Sequence, residues 1–281
     1  MSAAFSDVVL AAKEHGMSLW DALLLGIVEG LTEFLPVSST GHLILIERLL
    51  GLRGPAVDAY SVVIQLGALL AALVYYRRVF LDLACGLLRR EAESLRLLRN
   101  LVVAALPLLT LGYLFGKQIK ARLFQPRTVV LALILGGLLM LLVDWLQRRR
   151  PPRDLQPSQL PVQGALLTGL VQALALWPGT SRSMACIVGA QLAGLPRAAA
   201  ADFAFLLALP TLGVATLYEL AKHGHELSSS IGLTPLVLGL IVSFVVGWLV
   251  IAAFLRYLRR FGLWPFALYR ITLGALLFWL L

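Results

Sequence analysis

Residues 26–42 read GIVEGLTEFLPVSSTGH and place two glutamates, Glu29 and Glu33, in an otherwise apolar run that stops at Pro36. At a spacing of four residues the two carboxylates share one face of a helix, with Cβ atoms about 5–6 Å apart. Two negative charges this close repel each other, and in apolar surroundings each is also removed from water. A positive partner is therefore expected beside them, whether a metal ion, an arginine or a proton.

The composition is that of a membrane protein. Of the 281 residues, 59% are hydrophobic and only 14% are charged, and the mean hydropathy is +0.86, whereas about a quarter of the residues in a soluble domain are charged. The two cysteines fall in separate apolar segments, which gives no disulfide or metal pattern. The net charge of +9 comes largely from arginines at the ends of apolar segments. This placement indicates membrane topology and contact with anionic lipid rather than nucleic-acid binding.

Six segments approach the roughly 20 apolar residues that a membrane-spanning helix needs. They are residues 57–76, 95–115, 128–147, 198–220, 233–255 and 263–281. Two other regions are interrupted: 19–35 is followed by a polar break and then by 43–52, and 162–177 is followed by PGTSRS and then by 184–195. Each is predicted to form two half-length helices. Such breaks are tolerated in a membrane only where the backbone is buried in protein or lines a cavity.

The two interrupted regions resemble each other, which suggests an internal duplication. GIVE at 26–29 aligns with GLVQ at 169–172, and when one residue is dropped, Pro36 falls on Pro178 and Ser39 on Ser181. We predict a single integral-membrane domain, 1–281, with repeats at about 19–147 and 162–281. Each half would be a re-entrant helical hairpin plus three transmembrane helices. Because three spans is an odd number, the halves would be inverted, giving an all-α polytopic fold with an inverted-topology repeat.

Basic residues predict the orientation. The loops at 77–90, 148–153 and 256–260, together with Arg197, carry twelve arginines on one side, against eight basic residues on the other. The richer side is expected to face the cytoplasm, which places both termini outside.

The chemistry is expected where the two hairpin tips meet. A helix begins at each tip, and helix N-termini bind anions through unpaired N–H groups and the positive end of the dipole. Hydroxyl groups cluster at both tips: Ser38, Ser39, Thr40, Thr180, Ser181 and Ser183. These hydroxyls are predicted to bind substrate, although such residues also serve as helix N-caps. Arg182 adds a guanidinium suited to phosphate. A divalent cation, Mg²⁺ or Ca²⁺, held by Glu29 and Glu33 would complete a site for an oxyanion.

Five stretches of the sequence are recognisable as motifs: GIVEGLTEFLPVSSTGHLIL, VVIQLG, ALWPGTSRS, FLLALP and PFALYR. Together they resemble the undecaprenyl-diphosphate phosphatase family, whose members confer bacitracin resistance, and the resemblance runs nearly end to end. It implies removal of the terminal phosphate of the C55 lipid diphosphate at a metal-dependent site. The site would lie near mid-membrane in the bacterial inner membrane and open toward the periplasm. Carried over by motif, the family's functional residues fall on Glu29, Glu33, Ser39, His42, Ser181 and Arg182.

Some alternatives stay open. The nucleophile is either Ser39, activated by His42, or a metal-bound water with His42 as the acid for the leaving group. Gln65 is polar in an apolar span and is expected to face the first tip, in a substrate or supporting role. Arg270 and Asp202 are expected to form structural pairs rather than to act in catalysis. The chain departs from the family pattern after Arg182, where Met184 stands in place of a small residue.

The predicted partners are a prenyl diphosphate lipid and the bilayer. A homodimer is an alternative to a monomer, and nucleic acid has no expected role. A secondary transporter or lipid flippase is the second functional hypothesis, because inverted repeats with broken helices are frequent among transporters.

Overall fold

The computed structural model describes residues 17–149 and 154–280. In these ranges the regular structure is helical, with eleven α-helices. They are α1 (Leu19–Thr32), α2 (Ser39–Leu49), α3 (Pro55–Tyr75), α4 (Arg77–Leu88), α5 (Ala92–Leu123), α6 (Pro126–Arg149), α7 (Val162–Ala173), α8 (Arg182–Leu192), α9 (Arg197–Ser230), α10 (Leu233–Leu258) and α11 (Trp264–Leu280). Short 3₁₀ turns, Pro157–Gln159 and Leu174–Leu176, flank α7.

Five of these helices, α3, α5, α6, α9 and α10, are long and apolar enough to cross a bilayer. They match the first five predicted spans. The sixth predicted span, 263–281, corresponds to α11, which has 17 residues and is therefore about 25 Å long, short of a hydrocarbon core of about 30 Å. Residue 281 lies outside the described ranges. The chain is thus an all-α polytopic membrane protein, as predicted.

Both predicted helix breaks are present. The first separates α1 from α2 and the second separates α7 from α8. The longest of these four helices has 14 residues, or about 21 Å, so none of them can cross a bilayer alone. Helices α2 and α8 begin earlier than their apolar stretches predicted, because the polar residues before those stretches cap them and form their first turns.

Two segments outside the predicted spans are mainly helical, and one of them is the predicted loop at 77–90. Residues 77–90 contain α4, and α5 continues through the basic residues after 115 to Leu123. Most residues of α4 are exposed, apolar and basic alike. Helix α4 contains no long apolar run, because its apolar residues are interrupted by polar ones, as in helices that lie along a membrane surface. The loop predicted at 148–153 lies partly outside the described residues.

The first helix of each short pair packs against a span from the other part of the chain. Helix α1 packs along α10, and α7 packs along α5. Glycine allows the close approach of α1: a Cβ on Gly30 would lie 2.9 Å from the backbone nitrogen of Gly247 and from the carbonyl oxygen of Ser243. Small residues serve this purpose in membrane helix packing, where backbones must come close.

Helix α8 lies at the centre of the protein. Residues 183–191 of this helix are all buried, and α8 packs against α6, α7 and α9. In the first break, Phe34 is fully buried and meets Phe205 of α9 edge to face, with ring centroids 5.1 Å apart. The two breaks are therefore enclosed by protein, as breaks at membrane depth must be.

Candidate active site

The two helix breaks meet inside the protein. A guanidinium nitrogen of Arg182, at the start of α8, lies 3.2 Å from Oε1 of Glu33, just after α1. The Ser183 hydroxyl donates to the carbonyl oxygen of Leu35 at 2.9 Å. The side chains of Arg182 and Glu33 are only 9% and 5% exposed. The predicted convergence of the two breaks on one small cluster is therefore present.

The two glutamates have different partners. Glu33 accepts hydrogen bonds on both carboxylate oxygens, from Arg182 at 3.2 Å and from the Ser39 hydroxyl at 2.6 Å. Glu29 is fully buried, and neither of its carboxylate oxygens accepts a hydrogen bond from a donor in the described part of the chain. It lies within electrostatic range of Glu33 and Arg182. With both carboxylates ionised, one guanidinium faces two negative charges, so the cluster still lacks positive charge.

The helix that follows each break, α2 or α8, is capped by a serine with a strained backbone. Ser38 and Ser181 have φ angles of 77° and 72°, a region that residues other than glycine rarely adopt and that is enriched at functional sites. Each caps its helix: Ser38 Oγ accepts from the Gly41 N–H, and Ser181 Oγ accepts from the Met184 N–H, both at 3.3 Å. The capping role considered for these two serines is confirmed.

The matching geometry corrects the sequence alignment of the two breaks. Ser38 and Ser181 occupy equivalent positions, 143 residues apart, which is the same offset that relates Glu29 to Gln172. The one-residue gap that aligned Ser39 with Ser181 was therefore wrong. The prolines at 36 and 178 suggested that gap, but the caps show that no gap is needed. Ser39 and Arg182 are each the first helical residue after the capping serine.

His42 does not contact Ser39 in the way expected for its activation. One ring nitrogen, Nδ1, lies 2.7 Å from the carbonyl oxygen of Ser38, and the other, Nε2, lies 2.7 Å from the hydroxyl of Tyr269 on α11. The two rings are stacked, with centroids 5.7 Å apart. The hydroxyl of Ser39 donates instead to Glu33. The side chain placed to accept the proton of Ser39 is thus Glu33.

Arg270 was expected to form a structural pair, but in the structure it contacts several backbone segments at once. Its side chain is fully buried and donates to four carbonyl oxygens, with no carboxylate partner among the described residues. One of these oxygens, at 3.2 Å, belongs to Pro36 in the first break, and another, at 2.8 Å, belongs to Gly179 in the second. Arg270 therefore fastens the two breaks to each other.

The pocket for Arg270 depends on Gly136. A Cβ added at Gly136 would lie 2.9 Å from the guanidinium carbon of Arg270 and 2.9 Å from the terminal methyl of Met184. Met184, at which the chain departs from the family pattern, is fully buried against this pocket. The larger side chain at position 184 therefore fills space beside α6. Asp202 accepts a hydrogen bond from Tyr76 at 2.6 Å, which confirms the structural pairing expected for it.

The remaining predicted site residues lie at varying distances from this cluster. Thr180 is buried in the second break, and Ser181 Oγ and Ser183 Oγ lie 3.0 Å apart at the start of α8. Thr40 is half-buried in the first turn of α2. Gln65 is half-buried on α3 and makes no hydrogen bond with the described residues of either break. The structure thus gives no contact to support the expected role of Gln65.

The carboxylates fit a divalent cation on chemical grounds. The two unpartnered oxygens of Glu29 are hard, buried donors beside Glu33, of the kind that Mg²⁺ and Ca²⁺ prefer. Among the described residues no group of three or more His, Cys, Asp or Glu side chains could hold a metal ion. A site made from one or two carboxylates is nevertheless usual for Mg²⁺, which takes its other ligands from substrate phosphates and water.

The sequence of this chain matches a known protein family. The sequence profile of the family described as "Bacitracin resistance protein BacA" matches residues 22–276, which include both breaks and Arg270. The chain belongs to this family. The bacitracin resistance (BacA) family match extends over all eleven helices except the ends of α1 and α11, so the whole membrane-embedded fold, rather than one motif, is shared.

Individual relatives in the BacA family are close. An undecaprenyl-diphosphatase of Sorangium cellulosum is 54% identical over 94% of this chain and 87% of its own length. An undecaprenyl-diphosphatase of Wolinella succinogenes is 43% identical over 92% of this chain and 97% of its own length. A third undecaprenyl-diphosphatase, from Novosphingobium aromaticivorans, is 47% identical over 90% of this chain and 94% of its own length.

Proposed function

We propose that this protein is an undecaprenyl-diphosphate phosphatase, which hydrolyses the C55 lipid diphosphate to undecaprenyl phosphate and inorganic phosphate. The names of its relatives support this function. The observation that carries it is the buried contact of 3.2 Å between Arg182 and Glu33, which joins the two breaks. It brings a phosphate-binding guanidinium and a proton-accepting carboxylate to one enclosed point, where a diphosphate could be both held and attacked.

Arg182 is available to bind the diphosphate. One of its Nη groups contacts Glu33 and the other donates to the carbonyl oxygen of Ala204, while the buried Nε–H has no partner among the described residues. A phosphate oxygen would satisfy this donor. Because the guanidinium is planar and always charged, it can stabilise the negative charge that builds up on the transferred group.

Ser39 and Glu33 supply the attacking group and its base. In the proposed reaction the Ser39 oxygen attacks the terminal phosphorus, Glu33 takes the hydroxyl proton, and the bond to the bridging oxygen breaks to release the lipid phosphate. Water then attacks the phosphorus of the phosphoserine, and the bond to the serine oxygen breaks, which releases inorganic phosphate and restores Ser39. The alternative is direct attack by a water, with His42 as the acid for the leaving group. Rapid quenching with substrate labelled at the terminal phosphate with ³²P distinguishes the two, because only the first gives labelled protein.

His42 and Tyr269 are proposed to serve the leaving group. The imidazole has fixed contacts on both nitrogens, and Tyr269, which is partly exposed, contributes one of them. A hydroxyl and an imidazole in line can pass a proton to the oxygen of the departing lipid phosphate.

Glu29 and Glu33 are proposed to hold the divalent cation, Mg²⁺ or Ca²⁺. When bound, the cation would neutralise phosphate oxygens and help to align the diphosphate. The orphaned, fully buried carboxylate of Glu29 supports this assignment.

We further propose the inverted-repeat arrangement, with two re-entrant helix pairs. The shortness of α1, α2, α7 and α8, the matching caps at Ser38 and Ser181, and the packing of α1 and α7 on opposite parts of the chain all support it. The basic ends would face the cytoplasm and the site would open to the periplasm of the inner membrane. Exposed Cys85 on α4 is then expected to resist an impermeant thiol reagent in intact cells and to react after permeabilisation. Labelling in intact cells would reverse the orientation.

Phosphate release from a prenyl diphosphate by the purified protein in detergent tests the activity. Detergent abolishes gradients but leaves hydrolysis intact, so a transporter or flippase would release no phosphate. We expect release with Mg²⁺ or Ca²⁺ and its loss in EDTA. Glu33→Gln and Arg182→Ala are each expected to lower the rate by about 10² or more, as does loss of one charge-stabilising group in other enzymes. A wild-type rate in either variant would remove that residue from the mechanism.

A further inference from the structure

A cavity of about 400 Å³ lies where three helices end together, at the C-termini of α6 and α10 and the N-terminus of α9. Three arginines line it: Arg148, Arg197 and Arg259. Its remaining lining includes Gln147, which adds an amide, and Leu258, which adds an apolar surface. None of these residues belongs to the two helix breaks, so the cavity is separate from the proposed catalytic cluster.

The arginines of this cavity carry more positive charge than their neighbours neutralise. Arg197 is paired with Asp144 at 3.2 Å, and the second oxygen of Asp144 accepts from the backbone N–H of Trp264 at 3.0 Å. Arg148 and Arg259 are exposed and make no side-chain ion pair or hydrogen bond with the described residues. Asp202 lies within electrostatic range of Arg259, so Asp144 and Asp202 together balance two of the three positive charges and leave one in excess.

The helix ends do not account for all three arginines. A cation near a helix C-terminus is stabilised by the helix dipole, which would explain Arg148 on α6 and Arg259 after α10. Arg197, however, is the first residue of α9, where the dipole disfavours a cation and favours an anion. Pro196 precedes it and provides no side-chain cap for the first N–H groups. A helix N-terminus without a side-chain cap and three guanidiniums thus lie around one small cavity.

We infer that this cavity binds the phosphate group of an anionic phospholipid. Guanidinium groups and a helix N-terminus are suited to phosphate oxygens, and the apolar wall formed by Pro196, Ala198 and Leu258 can contact the glycerol backbone and the start of the acyl chains. The acyl chains would then continue along the lipid-facing surface of the bundle. Basic pockets between membrane helices bind anionic headgroups in this way. This site is independent of the phosphatase proposal, since it shares no residue with the catalytic cluster.

Native mass spectrometry of the purified protein tests this site. Wild-type protein with added phosphatidylglycerol is expected to retain lipid, and with added phosphatidylcholine it is expected to retain much less. The double variant Arg148→Gln/Arg259→Gln should bind phosphatidylglycerol about 30-fold more weakly, since each arginine near an anionic lipid contributes about fivefold in affinity. The variant Arg89→Gln/Arg96→Gln is the matched control, because it removes the same charge from two exposed arginines that do not line the cavity.

Three results would overturn the inference. They are equal retention of both lipids by the wild type, an equal loss of phosphatidylglycerol in the two double variants, and undiminished binding by Arg148→Gln/Arg259→Gln. A thermal shift with millimolar inorganic phosphate but no retained lipid would assign the cavity to the free ion and overturn the lipid source. The phosphatase rate in detergent is expected to be the same in both double variants and the wild type, which separates this test from that of the catalytic site.

Discussion

Replacing Glu29 by methionine should make the metal-free protein more stable and its catalysis much slower. Glu29 is fully buried, and no donor among residues 17–149 and 154–280 forms a hydrogen bond with either of its carboxylate oxygens. A buried polar group in this state costs about 1–3 kcal/mol of stability. Methionine is similar in size and has no charge, so the exchange should recover most of that free energy without leaving a cavity.

The expected size of the effect follows from the length of the chain. One kcal/mol shifts the Tm of a chain of this size by about 2 °C, so Glu29→Met should raise the Tm in EDTA by about 2–6 °C. The same change removes one of the two proposed cation ligands. Phosphate release should therefore fall by about 10² or more, and stability and activity should change in opposite directions.

The assay is thermal unfolding in a single detergent, measured in EDTA and again with Mg²⁺. A ligand that binds only the folded protein raises its Tm, so Mg²⁺ should stabilise the wild type and should have little effect on Glu29→Met. Glu47→Met is the matched control. Glu47 is also buried in a short helix, but it accepts a hydrogen bond from Ser61, so its replacement should lower the Tm.

Two outcomes would refute this reasoning. The first is a lower Tm for Glu29→Met in EDTA, which would mean that the Glu29 carboxyl group has stabilising polar partners in the metal-free protein. The second is a Mg²⁺-dependent rise in Tm as large in Glu29→Met as in the wild type, which would place the cation elsewhere.

Three further variants address the other contacts of the cluster. Ser39→Ala should slow phosphate release by about 10² or more and abolish ³²P labelling of the protein; labelling that persists would exclude Ser39 as the nucleophile. Tyr269→Phe keeps the ring but loses the 2.7 Å contact with His42. As a result, kcat should fall about tenfold while KM stays the same. An unchanged kcat would exclude Tyr269 from proton transfer. Arg270→Lys keeps the charge but cannot reproduce four separate hydrogen bonds, so Tm should fall by about 2–6 °C; an unchanged Tm and rate would mean that Arg270 does not fasten the breaks.

Much of the fold and the centre of the site followed from local sequence. The helix breaks are visible because polar and helix-breaking residues interrupt apolar runs at 36–40 and 178–183. The shared face of Glu29 and Glu33 follows from helical spacing, and the need for a positive partner follows from their charge. Arg182 was a natural candidate because an arginine among buried apolar residues requires an anion.

The contacts that join distant parts of the chain could not be read in this way. Arg270 signals a partner by its place in an apolar helix, but its partners are backbone carbonyl oxygens, which every residue has, and one of them lies 234 positions away. The contact between His42 and Tyr269 spans 227 positions. Ser39 faces Glu33 rather than His42 because the strained turn at Ser38 redirects the chain, and this turn is not encoded by a glycine that would reveal it.

The central claim is that Glu33 and Arg182, brought together from the two helix breaks, act as one unit on the diphosphate. A double-mutant cycle on phosphate release by the purified protein tests it most directly, with Glu33→Gln, Arg182→Ala and the double variant compared at saturating substrate and cation. When two residues act as a unit, replacing either one removes the contribution of both to the rate. The double variant should therefore be about as slow as the slower single variant. Rate losses that multiply in full would show that the two side chains act independently and would contradict a shared site.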